Sequence, residues 1–408
     1  EQPSFWHWVA LSATMAIALA VRLWHLDTLP PGLYRDEATN GLDALRVIAG
    51  EHPLYFTANN GREPLFMYLL ALSVRLLGRT PGALRLVAAV LGTLTVLVSY
   101  WLGHELYGRR VGLVFAVLLS VTVWPVNLSR IALRAVGLPL FIGAMLALTW
   151  LGLRRHSIWP MAAAGLCWGL SFYTYLAARF TLLALPLVVL YLWRLRPDAR
   201  WWRGWLTLAS VAFAVAMPLG VYIVTHWQAT MGRAGQVSVF DSAISQGHPW
   251  VALLRNLMAA LLGPFLRGDF IPRHNVPLRP AFGPLMAPFG LVGLALMLAR
   301  VRRDSASGMV LIWCGVMAVP TVLAEGAPHF LRAVGVLPLL FLLPSVGLDW
   351  AAAQLSRWRR WLPTFATVAV LLIAGTTDLL TYWRHLNSQA VYYNFESGAT
   401  ALAAQVNR

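Results

Sequence analysis

Residues 85–110 read RLVAAVLGTLTVLVSYWLGHELYGRR. From Leu86 to Gly103 no side chain carries a charge, and the run then closes on Arg109-Arg110. A helix must be apolar over about 20 residues to cross the roughly 30 Å hydrocarbon core of a bilayer, and this stretch has that length. The same unit, an apolar run stopped by an arginine cluster, recurs along the chain. Spans are expected near 6–26, 85–103, 111–128, 134–153, 158–176, 180–195, 204–226, 282–300, 308–325, 331–348 and 362–383. They describe an all-α polytopic membrane protein with about eleven transmembrane helices.

Whole-chain figures agree. Of 408 residues, 59% are hydrophobic and 12% charged, with a mean hydropathy of +0.64. These values exclude a soluble fold and a disordered chain. Cys167 and Cys314 both lie inside apolar runs and read as buried thiols. A net charge of +16 would suggest nucleic acid in a soluble protein, but the basic residues are distributed otherwise. All 32 are arginine, and fourteen fall in five clusters: Arg109/Arg110, Arg154/Arg155, Arg194/Arg196/Arg200/Arg203, Arg300/Arg302/Arg303 and Arg357/Arg359/Arg360. Eleven crossings put these clusters on one side, which the positive-inside rule makes the cytoplasm. No nucleic-acid partner is then expected, and membrane lipids are.

The N-terminus is cytoplasmic on this reading. Residues 27–84 form a first outer loop, 227–281 a second, and 384–408 the start of an outer soluble segment or a tail. Runs 65–77 and 251–266 are short and contain Arg75 and Arg255. A crossing at either would move every later cluster to the other face, so both are expected to lie as helices on the outer surface. Arg22 and the lack of a small-residue cleavage site make 6–26 a retained helix rather than a signal peptide. With no initiator Met, the numbering is expected to start inside a longer gene product.

Six of the 16 carboxylates, Asp27, Asp36, Glu37, Asp43, Glu51 and Glu63, fall in the first outer loop. There Pro30-Pro31-Gly32 precedes Tyr34-Arg35-Asp36-Glu37 and an amphipathic stretch that stops at Gly50. Local grammar offers Asp36 as a helix N-cap and Glu37 as a first-turn partner of the helix dipole. The chemical reading is that these carboxylates, with Glu63, accept a proton from an acceptor nucleophile. As oxygen ligands they can instead hold a hard divalent ion, which competes with the base role. Arg130, Arg134, Arg179, His329 and Arg332 lie in outer connections, against the topological bias. Singly they read as interfacial side chains, and together as a pocket for a lipid phosphate. His52, His274 and His329 show no metal-ligand spacing on one helix, and no metal residue is assigned.

At these residues the chain resembles the membrane glycosyltransferases of the GT-C fold, in their protein O-mannosyltransferase-like and aminoarabinose-transferase-like group. The segments that carry the likeness are Tyr34-Arg35-Asp36-Glu37-Ala38, Arg62-Glu63-Pro64-Leu65-Phe66-Met67-Tyr68, Ser129 to Arg134, Phe172 to Arg179 and Pro328 to Arg332. The resemblance implies a GT-C domain over 1–383 in a bacterial plasma membrane. It implies inverting transfer of a sugar from a polyprenyl-phosphate donor to an acceptor on the outer face, with Asp36 as base. It also places Tyr34, Arg35, Arg62, Tyr68, Tyr173 and Tyr175 in the substrate pocket. Arg62-Glu63-Pro64 stands where the aminoarabinose group has Glu-Lys-Pro, so that sugar specificity does not carry over. A transporter and a non-catalytic subunit of a larger assembly are the alternatives. The near absence of mid-span charge disfavours the first, and the intact Asp-Glu pair disfavours the second.

Overall fold

The computed structural model describes residues 4–228, 230 and 237–406. Residues 1–3, 229, 231–236 and 407–408, which include part of the second outer loop and the ends of the chain, lie outside them. Apart from two isolated β-bridges, Phe56 to Arg62 and Ser238 to Ala324, the described residues are helical or irregular.

The chain runs α1 Phe5–Leu23, α2 Arg35–Ile48, α3 Leu65–Leu77, α4 Pro81–Tyr107, α5 Arg109–Val121 and α6 Val123–Leu128. It continues with α7 Gly137–Arg155, α8 Ile158–Ser171, α9 Thr181–Leu195, α10 Trp202–Thr225, α11 Pro249–Leu262 and α12 Gly283–Arg300. Then follow α13 Ser305–Met317, α14 Leu342–Gln354, α15 Leu362–Leu386, α16 Gln389–Asn394 and α17 Ser397–Val406. Among the described residues nine helical stretches are long and apolar enough to cross a bilayer, each overlapping an expected span. The other two expected spans differ. Residues 158–176 hold the 14-residue α8. Residues 111–128 are broken at Thr122, whose backbone is extended. Pro125 explains the break, because it lacks the N–H that would bond the carbonyl four residues back.

Helix ends follow local chemistry. Thr80 Oγ1 accepts from Ala83 N–H at 3.1 Å and Pro81 occupies the first turn, which sets the start of α4. A Cβ built on Gly103 of α4 would lie 2.9 Å from Gly112 Cα of α5, so these backbones touch only because both positions lack a side chain.

The two short runs, 65–77 and 251–266, form helices. α3 buries Phe66, Met67 and Leu70 while Leu72 and Leu76 are exposed, and α11 buries only Ala252 and Asn256. The segment after α15 folds back as α16 and α17. Ser397 Oγ donates to the Pro31 carbonyl, Thr400 Oγ1 accepts from Leu33 N–H, and Val391 and Phe395 pack with Ile131 and Leu133. The tail is therefore part of the wall around the first outer loop.

Candidate active site

The pair Asp36-Glu37 is divided by its geometry. The N-cap of α2 is Tyr34, and its N–H donates to Glu37 Oε2 at 3.2 Å. Glu37 is fully buried. It also takes Arg85 Nε at 3.0 Å, Arg85 Nη2 at 3.1 Å and Ala132 N–H at 2.9 Å. Four donors fill the acceptor capacity of a carboxylate, so Glu37 clamps the first outer loop to α4 and the residues after α6. The expected cap role of Asp36 therefore belongs to Glu37, and the expected chemical role of Glu37 is not supported by its surroundings.

Asp36, one residue earlier, is half-exposed and accepts from Asn59 Nδ2 at 2.8 Å. Among the described residues it enters no ion pair. Asn59 sits in the tight turn between the bridged Phe56 and Arg62, with φ of 48°. Behind it, Arg62 is buried and donates to Asn40 Oδ1 at 2.6 Å and Asp43 Oδ2 at 2.5 Å. Burial lowers the Arg62 pKa, partly offset by Asp43, and Asp36 and Arg134 both act on it through space. Glu63 Oε2 pairs with Arg134 Nε at 2.9 Å, and the Arg134 guanidinium lies 5.5 Å from the centre of the Tyr175 ring. Burial pushes the Tyr55 phenol up; Glu63 adds to this while Arg134 and Arg179 oppose it. Asp36, Arg62, Glu63, Arg134, Tyr175 and Arg179 thus share one polar region, and Arg134 also lines an apolar crevice with Leu65, Phe66, Leu91 and Gly137.

Other expected site residues lie elsewhere. Arg130 is fully buried and donates to four backbone carbonyls, those of Val21, Arg22, Trp24 and Leu29. Its donors are committed to the α1 terminus, which corrects the expectation that it holds phosphate. Arg62, expected in the substrate pocket, instead forms the floor beneath Asp36. Tyr68 donates to the Pro53 carbonyl, and Tyr173 to the Val215 carbonyl between α8 and α10. Both hydroxyls therefore serve packing. Arg35 is exposed and pairs with Glu396 of the tail. Arg332 Nη1 donates to the Glu325 carbonyl at 2.5 Å, with the Glu325 carboxylate 3.8 Å from Nη2. His329 packs against His274, ring centres 4.6 Å apart, and burial, then His274 and Arg332, lower its pKa well below the ordinary value. A neutral ring adds no charge to a phosphate pocket.

Sequence reasoning missed Arg85 and Asn59, whereas the second loop that carries Arg273 is expected from the sequence to cover the site. Arg85 lies 48 residues from Glu37, Asn59 lies 23 from Asp36, and Arg273 stacks 4.2 Å over the Tyr34 ring from the second outer loop. Asn59 and Asn60 before Gly61 marked a turn, but nothing local tied that turn to Asp36.

Comparison with known proteins adds the family context. Residues 52–225 match the model of the dolichyl-phosphate-mannose-protein mannosyltransferase family. By sequence, no curated protein matches the chain. Among solved structures, ArnT from Cupriavidus metallidurans bound to undecaprenyl phosphate superposes with a TM-score of 0.65 at 17% identity, covering 99% of this chain and 80% of that one. The oligosaccharyltransferase AglB from Archaeoglobus fulgidus, in complex with an inhibitory peptide and a dolichol-phosphate, superposes at 0.62 and 14% identity over 95% of this chain. This chain spans only 56% of the length of that enzyme. From its helices, its first outer loop and these superpositions, the chain carries the GT-C fold of the membrane glycosyltransferases, with the mannosyltransferase family match confined to residues 52–225.

Proposed function

We propose that the chain transfers a sugar from a polyprenyl-phosphate-linked donor to an acceptor protein, lipid or glycan on the outer face of a bacterial plasma membrane. Eleven crossings with a cytoplasmic N-terminus are part of this reading, as the arginine clusters favour. The observation that carries it is the contrast within the first outer loop: Glu37 is sealed by four donors while Asp36 keeps carboxylate capacity at an open site. In the reaction the acceptor nucleophile forms a bond to the anomeric carbon as the bond from that carbon to the phosphate oxygen breaks. The electron pair leaves with the lipid phosphate, and the acceptor proton passes to Asp36. A single displacement inverts the anomeric centre.

A phosphate leaving group needs charge stabilisation rather than protonation, and fixed guanidiniums supply it. Arg134 and Arg179, near Glu63 and Tyr55, suit that role, with Arg332 on the opposite connection. The ligands in the two superposed structures, undecaprenyl phosphate and dolichol-phosphate, are of the donor class proposed. The test is transfer from a labelled polyprenyl-phosphate sugar by full-length protein in lipid nanodiscs. Asp36→Asn should abolish transfer with the melting profile intact, and unchanged turnover would remove Asp36 from the chemistry.

A further inference from the structure

His274 and His329 are 55 residues apart in sequence, on different outer connections, yet their rings meet beside a buried carboxylate. Asp269, His274 and His329 each bring one ligand-type atom within 4.8 Å of the others. The chain after α11 turns through Gly263 to Asp269. There Asp269 Oδ1 accepts from Ile271 N–H at 2.8 Å and Oδ2 from Phe330 N–H at 2.7 Å. His274 Nδ1 lies 3.1 Å from the same Oδ2. The carboxylate is thus aimed by two backbone donors and one imidazole, which leaves about one of its four acceptor positions open.

His274 Nδ1 and Asp269 Oδ2, 3.1 Å apart, stand at the separation of two ligand atoms on one ion. His329 is anchored by its own N–H to Thr321 Oγ1 at 2.7 Å. Its Nδ1 is opposed by nothing closer than Arg332 N–H at 3.3 Å, a long contact that a metal bond would replace. Asp269 is fully buried and His274 is 8% exposed, whereas His329 is half-buried and gives access from outside. Two arginines stand near. Arg332 is directed to the Glu325 carbonyl, and Arg273 to the Tyr34 ring and Asn394.

We infer that Asp269, His274 and His329 form a binding site for one divalent transition-metal ion of the zinc class, clipping the second outer loop to the connection before residue 334. Two imidazoles and one carboxylate suit zinc better than magnesium or calcium, which prefer all-oxygen sets. The clip also bears on the active site. Arg273 immediately precedes His274 and stacks on Tyr34, two residues from Asp36, so an ion here fixes a wall of the pocket without touching the reacting groups. The inference does not depend on sugar transfer.

The test uses full-length protein free of any histidine tag, stripped with a chelator and reloaded in nanodiscs with zinc or cobalt(II) alone. We expect one ion per chain, visible d–d bands for the cobalt form, and a melting midpoint raised by zinc, since a ligand bound only to the folded state stabilises it. His274→Ala and His329→Ala should lose the ion and the zinc-dependent shift, while Asp36→Asn keeps both. Wild-type protein that takes up no stoichiometric cobalt or zinc overturns the inference without any variant. So does metal retained equally by both histidine variants.

Discussion

Two sets of arginines line the same end of the bundle and do different work. Arg22, Arg85 and Arg130 are buried and spend their donors on the fold. Arg22 reaches the carbonyls of Leu119 and Ser120, Arg130 the four near the end of α1, and Arg85 both Glu37 and the carbonyls of Pro30 and Gly32. Arg134, Arg179 and Arg332 are only part-buried, and Arg134 faces a carboxylate, an aromatic ring and a crevice. Residue type is alike in the two sets. What differs is exposure: the braces are sealed in the fold, whereas Arg134 and Arg332 pair with Glu63 and Glu325 at positions still open to solvent.

The largest effect should come from the brace. Arg85→Ala leaves Glu37 buried and unpaired, and removing one partner of such a pair costs about 3–5 kcal/mol. Loss of the monodisperse, heat-resistant fraction on size-exclusion chromatography is the expected readout, and a normally folded Arg85→Ala protein would dissolve the distinction. Next comes Asp36→Asn, for which the loss of a general base predicts transfer slower by about 10²- to 10⁴-fold with an unchanged melting midpoint. Arg134→Ala should weaken donor binding roughly 10-fold or more, in line with about 1.5–3 kcal/mol for a hydrogen bond to a charged group, and titration with a polyprenyl phosphate measures it. The smallest effect is expected at Arg35→Ala. Its pair with Glu396 is exposed, and exposed pairs contribute little, so neither stability nor turnover should move.

Much of the architecture was legible because the bilayer imposes a strong rule on length and polarity. Among the described residues nine of the expected spans overlap helices long and apolar enough to cross, and the runs 65–77 and 251–266 form the helices α3 and α11. The break at Thr122 was not legible, since an apolar run containing Pro125 reads equally as a kinked or a divided helix. At the site, Asp36 stands out as a candidate from its company in the loop. Arg130 was misplaced because a guanidinium that holds carbonyls and one that holds phosphate have the same local sequence. Glu37 was misread for a related reason, its partner Arg85 being decided by tertiary packing. The meeting of His274 with His329 is likewise a property of two loops and of neither alone.

The broken helix has a consequence for how the protein is made. Extended backbone at Thr122 leaves carbonyls at the end of α5 without the next turn, and Arg22 of α1 caps two of them. Those partners are encoded 97 and 98 residues after the arginine. At about 5–20 residues per second, α1 must wait on the order of 5–20 seconds in the bilayer with a guanidinium that its own helix satisfies only in part, through the Ala18 carbonyl at 3.0 Å. Arg22 sits near the end of α1, within reach of the interface by snorkelling, so the helix can rest in a shallower position until α5 arrives. Ribosome-bound chains ending before residue 119 should therefore show α1 displaced toward that surface, measurable by the reach of a labelling reagent, and chains that include α6 should show it drawn in.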